Sequence, residues 1–173
     1  MSVQTYQELP QHVMDFCKGL STYINLPLYF YGSVQRLDYF EGHSDIDLFI
    51  FTDNLDDTLS NIRLYMRDPY IKTKKVIYDI YDSYPFIYGY KIKNKKINVE
   101  MSIFDIKYKS VILAENKKKT YLPFIVVLML YIIKVLYYKL GVISSNTFKT
   151  IKYQILNNIY RKGNTFTTLH TIL

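Results

Sequence analysis

Apolar residues recur with two different periods along this chain, and the points where the period changes outline its elements. From Thr5 to Tyr23, Leu9, Val13, Phe16, Cys17 and Leu20 return at helical spacing, which predicts an amphipathic helix with Pro10 in its first turn. Asn25–Tyr31 predicts a first strand and Ser33–Phe40 a short helix, with Gly32-Ser33 as the turn between them. Ser44–Thr52 reads as a second strand. Leu55, Leu59, Ile62 and Met66 then share one face of a helix that starts at Asp53-Asn54 and stops before Asp68-Pro69. Tyr70–Tyr81 and Phe86–Ile92 read as Tyr- and Ile-rich strands, and Asn94-Lys95-Lys96 turns the chain into a last strand, Ile97–Phe104.

Beyond that strand the pattern becomes helical. Tyr121–Tyr138 is the most apolar segment, and its uninterrupted part, Tyr121–Ile133, is 13 residues long. That length suits a buried core helix better than a membrane span, and an all-round apolar surface predicts burial on every side. Ser144–Lys162 predicts a final helix, and Gly163–Leu173 a loop or fraying end. The expected fold is α/β: a mixed sheet flanked by helices, with a helical C-terminal part. Residues 1–116 form the expected core and residues 117–173 the helical part packed on it.

Composition narrows the class. In 173 residues, 49% hydrophobic and 21% charged content fits a folded domain with a real core and excludes a disordered chain. The formal charge of +7 comes mostly from lysine, with Arg36, Arg63, Arg67 and Arg161 as the arginines. The abundant Lys, Ile, Tyr, Asn and Phe also share A- and T-rich codons, so the charge gives only modest support to a polyanionic partner. Lysines cluster at Lys72, Lys74 and Lys75, at Lys91, Lys93, Lys95 and Lys96, and at Lys117–Lys119; a solvated face and a nucleic-acid backbone contact explain them equally. Cys17 is the single cysteine, which excludes an intrachain disulfide and fits a reducing, cytoplasmic setting. The N-terminus shows no signal-peptide pattern. His12, His43 and His170 lack zinc-ligand spacing, and His43 reads as a loop residue.

The candidate chemistry lies between Tyr31 and Phe51. Asp45 and Asp47 are two apart in a strand and so project to one face, followed there by Phe49 and Phe51. Two carboxylates side by side repel unless a cation sits between them, and hard oxygen ligands favour Mg2+ or Mn2+. Gly32-Ser33 offers a close backbone approach to an anion and a hydroxyl donor, and Arg36 a planar fork suited to phosphate. Either half alone reads as a glycine turn or as surface aspartates. Their ordered combination points to phosphoryl or nucleotidyl transfer. On the last strand Asn98, Glu100 and Ser102 share a face opposite Val99, Met101 and Ile103, which makes Glu100 a third carboxylate candidate and Asp105 its reserve. Lys134 stands among Leu130, Tyr131, Tyr137 and Tyr138, so its ammonium must reach solvent or meet an anion.

Gly32-Ser33 followed after eleven residues by Asp45-Ile46-Asp47 resembles the signature of the DNA polymerase β-like nucleotidyltransferase superfamily. Arg36 stands where many members carry an arginine; Leu37 replaces the glycine that often follows it. The segment with Lys134 and Gly141 is similar to a helix in the poly(A)-polymerase and oligoadenylate-synthase-like branch, with Leu136 where tryptophan is common. The resemblance covers roughly residues 5 to 142. It implies that Asp45, Asp47 and Glu100 hold Mg2+ or Mn2+, with Glu100 assisting deprotonation of the acceptor. It also implies that Gly32, Ser33, Arg36, Ser44 and Lys134 hold a nucleoside triphosphate. The expected reaction transfers a nucleoside monophosphate to an acceptor hydroxyl, an RNA end before others. Modification of a protein partner and a non-catalytic nucleotide- or nucleic-acid-binding module remain alternatives. A protein partner or a homo-oligomer is compatible with this reading, and no membrane role is expected.

Overall fold

The computed structural model describes residues 9–80, 84–161 and 169–172. Six strands form one mixed sheet in the order β1-β2-β5-β4-β3-β6. They are β1 Leu28–Tyr31, β2 Ile46–Thr52, β3 Thr73–Ile80, β4 Tyr84–Asn94, β5 Val99–Asp105 and β6 Leu169–Ile172. β2 and β5 are parallel, and every other neighbouring pair is antiparallel. The helices are α1 Gln11–Ile24, α2 Leu55–Tyr65, α3 Lys109–Thr120, α4 Phe124–Lys134 and α5 Ser145–Arg161. The α/β reading holds, with a helical part toward the C-terminus.

Strict alternation in β2 and β5 gives the sheet two apolar faces. Ile46, Leu48, Ile50, Val99, Met101 and Ile103 point to one side and are buried with Val13, Cys17 and Leu20 of α1 and Leu59 and Ile62 of α2. Each such side chain fully removed from water contributes about 1.5–3 kcal/mol. Burial pushes the Cys17 thiol up to about 12, which leaves it inert. On the other side, Phe49, Phe51, Val76, Tyr78, Ile87 and Phe104 pack with Ile112 of α3. Gly89 is needed there, because a Cβ would strike the Ile103 carbonyl and the Phe104 ring.

Several elements depart from expectation. α1 begins at Gln11, with Pro10 as the residue before its first turn, and the expected stretch 5–8 lies outside the described residues. Asn25 adopts a left-handed conformation that ends α1, so β1 starts only at Leu28. β2 starts at Ile46, which leaves Asp45 just ahead of the strand. The helix expected over Ser33–Phe40 is a single 3-10 turn, Gly32–Gln35, after which Arg36 is extended. α3 was not foreseen, and the expected boundary between residues 116 and 117 falls inside it. The apolar segment is broken at Tyr121–Pro123, and α4 is not buried all round. Val126, Leu130 and Ile133 pack against Phe148 of α5, whereas Ile125, Met129 and Ile132 are exposed. Among the described residues, no single helix is long and apolar enough to cross a membrane; the pair Ile106–Thr120 and Phe124–Lys139 passes together but bends by 82°. Leu169–Ile172, expected to be loop, adds an edge strand to β3; residues 163–168 and 173 of that expected loop, and residue 162 at the end of the expected final helix, lie outside the described residues.

A buried ion pair ties the helical part to the loop before β2. Asp38 is fully buried and receives Arg36 Nε at 2.7 Å and Lys134 Nζ at 3.0 Å. Burial raises the Asp38 carboxyl, but hydrogen bonding and charge from Arg36, with Lys134 adding to both, outweigh it and hold it below its ordinary range. Phe40 packs on Tyr131 and Tyr138 around this pair, and His43 stacks on Tyr138 as a loop residue. The same contacts explain the missing short helix. The chain must stay extended at Arg36 to bring Asp38 under α4.

Lys134→Met is therefore expected to cost about 3–5 kcal/mol in urea unfolding, since it breaks a buried ion pair and leaves the Asp38 carboxylate with Arg36 as its remaining cation. Adding Asp38→Asn should restore part of that loss. A single-variant loss below about 1 kcal/mol, the worth of an exposed pair, contradicts this account.

Candidate active site

Apolar registry brings the carboxylates together. Ile46, Leu48 and Ile50 face the same core as Val99, Met101 and Ile103, and a one-residue slip would turn them all outward. The intervening residues are thereby paired on the opposite face, with Asp47 directly across from Glu100. β4 continues the row with Lys93 across from Glu100 and Lys91 across from Ser102. Lys91 Nζ forms an ion pair with Glu100 Oε1, and Lys93 Nζ donates to Asp45 Oδ1 at 2.7 Å. The expected carboxylate trio thus lies at one end of the interior strands β2 and β5, with two lysine ammonium groups of β4 distributed over it.

The turn before the loop completes one side. Gly32 has φ +78°, and a Cβ on it would collide with Asp47 Oδ2. Glycine is needed there for both conformation and space. Tyr31 stacks on Phe49 with ring centroids 3.7 Å apart, and its hydroxyl lies 3.1 Å from Ser102 Oγ. Burial and the Asp47 charge raise the Tyr31 phenol well above its ordinary range, so it stays neutral. Part of Asp47 reaches solvent, yet its carboxyl lies among packed atoms. Burial pushes that carboxyl up to about 7, with Glu100 adding to the push and Lys91 and Lys152 opposing it.

The expected phosphate cations are placed differently. Arg36 grips Asp38 with Nε and Nη2. Lys134 Nζ donates to Asp38 O at 2.6 Å, Asp38 Oδ2 at 3.0 Å and Ser44 Oγ at 3.3 Å. A lysine has three N–H donors, so all of them are used inside the protein. Burial pulls this ammonium down to about 8 against the attraction of Asp38. Ser44 Oγ also accepts from the Phe40 N–H at 3.2 Å. Arg36, Ser44 and Lys134 therefore shape the loop rather than face an open phosphate position. Gly32 and Ser33 remain at the mouth beside Asp47, on a turn too short to supply the expected helix terminus. Asp105, the reserve carboxylate, pairs with Thr52 and accepts from the Lys107 N–H at 2.9 Å, capping the next turn away from Asp47.

Three residues at the site escaped the sequence reading. Lys91 and Lys93 belong to a lysine cluster that reads from sequence equally as a solvated face or a nucleic-acid backbone contact. Their two-residue spacing, across a turn from Glu100, is the signal that places them on the carboxylate face. Lys152 of α5 exerts its charge on both Asp47 and Lys134, and nothing in its local pattern marks it. Among the described residues, no group of three Asp, Glu, His or Cys side chains is gathered into a metal cage. The donor set still fits a hard cation: paired carboxylate oxygens, excess negative charge at Asp47, and two ammonium groups standing in for positive charge.

No family model matches the chain, and neither does any curated protein. Among solved structures the chain is similar to the conserved protein GrpB from Enterococcus faecalis, at 14% identity and a TM-score of 0.45, over 91% of this chain and 98% of that one. It is also similar to the STING-associated CdnE c-di-GMP synthase from Capnocytophaga granulosa, at 19% identity and a TM-score of 0.26, over 70% of this chain and 44% of that one. Both likenesses are distant.

Burial pushes the Asp47 carboxyl up to about 7 in the folded chain, against 3.8 for a free one. The folded chain holds the extra proton between those values, so this group withdraws stability as pH rises through that window. Asp47→Asn should raise the thermal midpoint in EDTA at about pH 8, with a smaller gain at about pH 4.5. A large drop at both pH values would make Asp47 a structural anchor instead.

Proposed function

We propose that the chain is a metal-dependent nucleotidyltransferase that moves a nucleoside monophosphate from a nucleoside triphosphate to an acceptor hydroxyl, with an RNA end as the acceptor. The observation that carries this reading is Asp47 set against Glu100 by parallel pairing, with Gly32 pressed onto the Asp47 carboxylate. The Gly32-Ser33 to Asp45-x-Asp47 spacing supports the same reading from the sequence.

Asp47, Glu100 and Asp45, once Lys93 lets it go, would hold Mg2+ or Mn2+. Bound there, the metal would offset negative charge building on the attacking and leaving oxygens. Ser33 Oγ and the backbone of the Gly32 turn would approach the triphosphate, and Lys152, whose charge acts on Asp47, would add positive charge there, since Lys134 is committed to Asp38. Glu100 would take the proton from the acceptor hydroxyl. The new bond joins the acceptor oxygen to the α-phosphorus. The bond to the bridging oxygen breaks, and pyrophosphate leaves with that electron pair.

A second reading is favoured by one observation. With Lys91 on Glu100 and Lys93 on Asp45, the charge row is partly balanced without metal, as a non-catalytic nucleotide- or nucleic-acid-binding module of the same fold would require. Incubation with each α-labelled nucleoside triphosphate and a mixed pool of RNA and protein separates these readings. Label on RNA should appear only with Mg2+ or Mn2+. It should fall roughly a hundredfold to a thousandfold in Asp45→Asn, Asp47→Asn and Glu100→Gln, the usual loss for a preorganised electrostatic group. Label on protein would assign the other acceptor. No product, with nucleotide binding indifferent to Asp45→Asn, would make the chain a binding module.

A further inference from the structure

Beside the carboxylate row lies a cleft of about 850 Å3, bordered by Glu100, the α2–β3 connection and the β4–β5 turn. Seven of its lining residues are Lys or Arg and two are acidic. Lys91 and Lys93 belong to this lining and are also the two lysines paired with Glu100 and Asp45. The lining also includes Lys72 and Lys95, both exposed, and Tyr70, 92% exposed. A basic wall beside an open aromatic ring suits a strand that offers phosphates and a stackable base, and suits an acidic peptide less well.

From this double use of Lys91 and Lys93 we propose that the cleft holds the phosphodiester backbone of a single-stranded RNA acceptor, and that a divalent cation at the carboxylates unlatches it. This rests on the metal reading of Asp45, Asp47 and Glu100. Without metal, Lys91 and Lys93 serve as counter-ions to the carboxylates, and their charge is not available to phosphate. The Lys93–Asp45 pair is partly exposed, at 35% and 43%, and so is weak; the Lys91–Glu100 pair is more enclosed, at 20% on each side, and a divalent cation outcompetes a single ammonium group for the same oxygens. Once the carboxylates are neutralised, both ammonium groups are repelled toward the cleft. The order of binding follows: metal first, acceptor second. Coupling of this kind is reciprocal, so RNA should tighten metal binding by the same factor.

The test measures anisotropy of a fluorescein-labelled oligouridylate at constant ionic strength with and without Mg2+, alongside calorimetric titration of Mn2+. Wild type should bind Mn2+, and its RNA affinity should rise about tenfold with divalent metal, within the usual range of coupling. Lys72→Glu with Lys95→Glu should weaken RNA binding about tenfold and leave Mn2+ binding unchanged. Asp45→Asn with Glu100→Gln should bind RNA tightly without metal. Mn2+ binding with unchanged or weaker RNA affinity overturns the latch and leaves the metal reading standing. An absence of Mn2+ binding overturns that reading, and the latch with it. An equal metal-dependent gain for polyglutamate overturns the assignment to nucleic acid.

Discussion

Two carboxylates cannot stand side by side in a partly dry site unless positive charge is brought to them. Asp47 and Glu100 are forced into that position by the core beneath, because the register that buries Leu48 and Met101 also pairs the acids. The apolar face gains more from correct registry than the charged face loses. The penalty is visible at Asp47, whose carboxyl is pushed up to about 7. Most of the local structure answers it: Lys91 and Lys93 from β4, Lys152 from α5, and a glycine where any side chain would strike the carboxylate.

A second knot of charge lies beside the first, and Lys152 acts on both. Asp38 takes Arg36 from its own loop and Lys134 from α4, and Phe40 two residues on packs against Tyr131 and Tyr138. It fixes the loop between the Gly32 turn and β2, and so fixes the direction from which anything approaches Asp47. The helical part is thus coupled to the site without placing the Lys134 ammonium in it.

Alternation made much of this legible. The faces of β2 and β5 and the helix around Leu59 and Ile62 follow from period-two and helical patterns that the core enforces; that Asp47 meets Glu100 was implied by the family resemblance alone, because alternation does not set which strands are neighbours. What stayed hidden depends on contacts distant in sequence. Asp38 carries no local signal of its role, because its partner Lys134 stands 96 positions away. The Ser33–Phe40 helix failed because that long-range pair overrode local preference. Ile125, Met129 and Ile132 were expected inside, but only one stripe of α4 has α5 to pack against. β6 carried too little pattern in four residues to be told from a loop.

The claim beneath the proposed chemistry is that the Asp47–Glu100 pair is a cation site. The most direct test is anomalous diffraction from crystals soaked in Mn2+ with a non-hydrolysable nucleoside triphosphate analogue. The account predicts a manganese peak between the Asp47 and Glu100 carboxylates, with Lys91 Nζ displaced from Glu100. No peak there in crystals whose nucleotide is bound, with Lys91 still paired to Glu100, would contradict it.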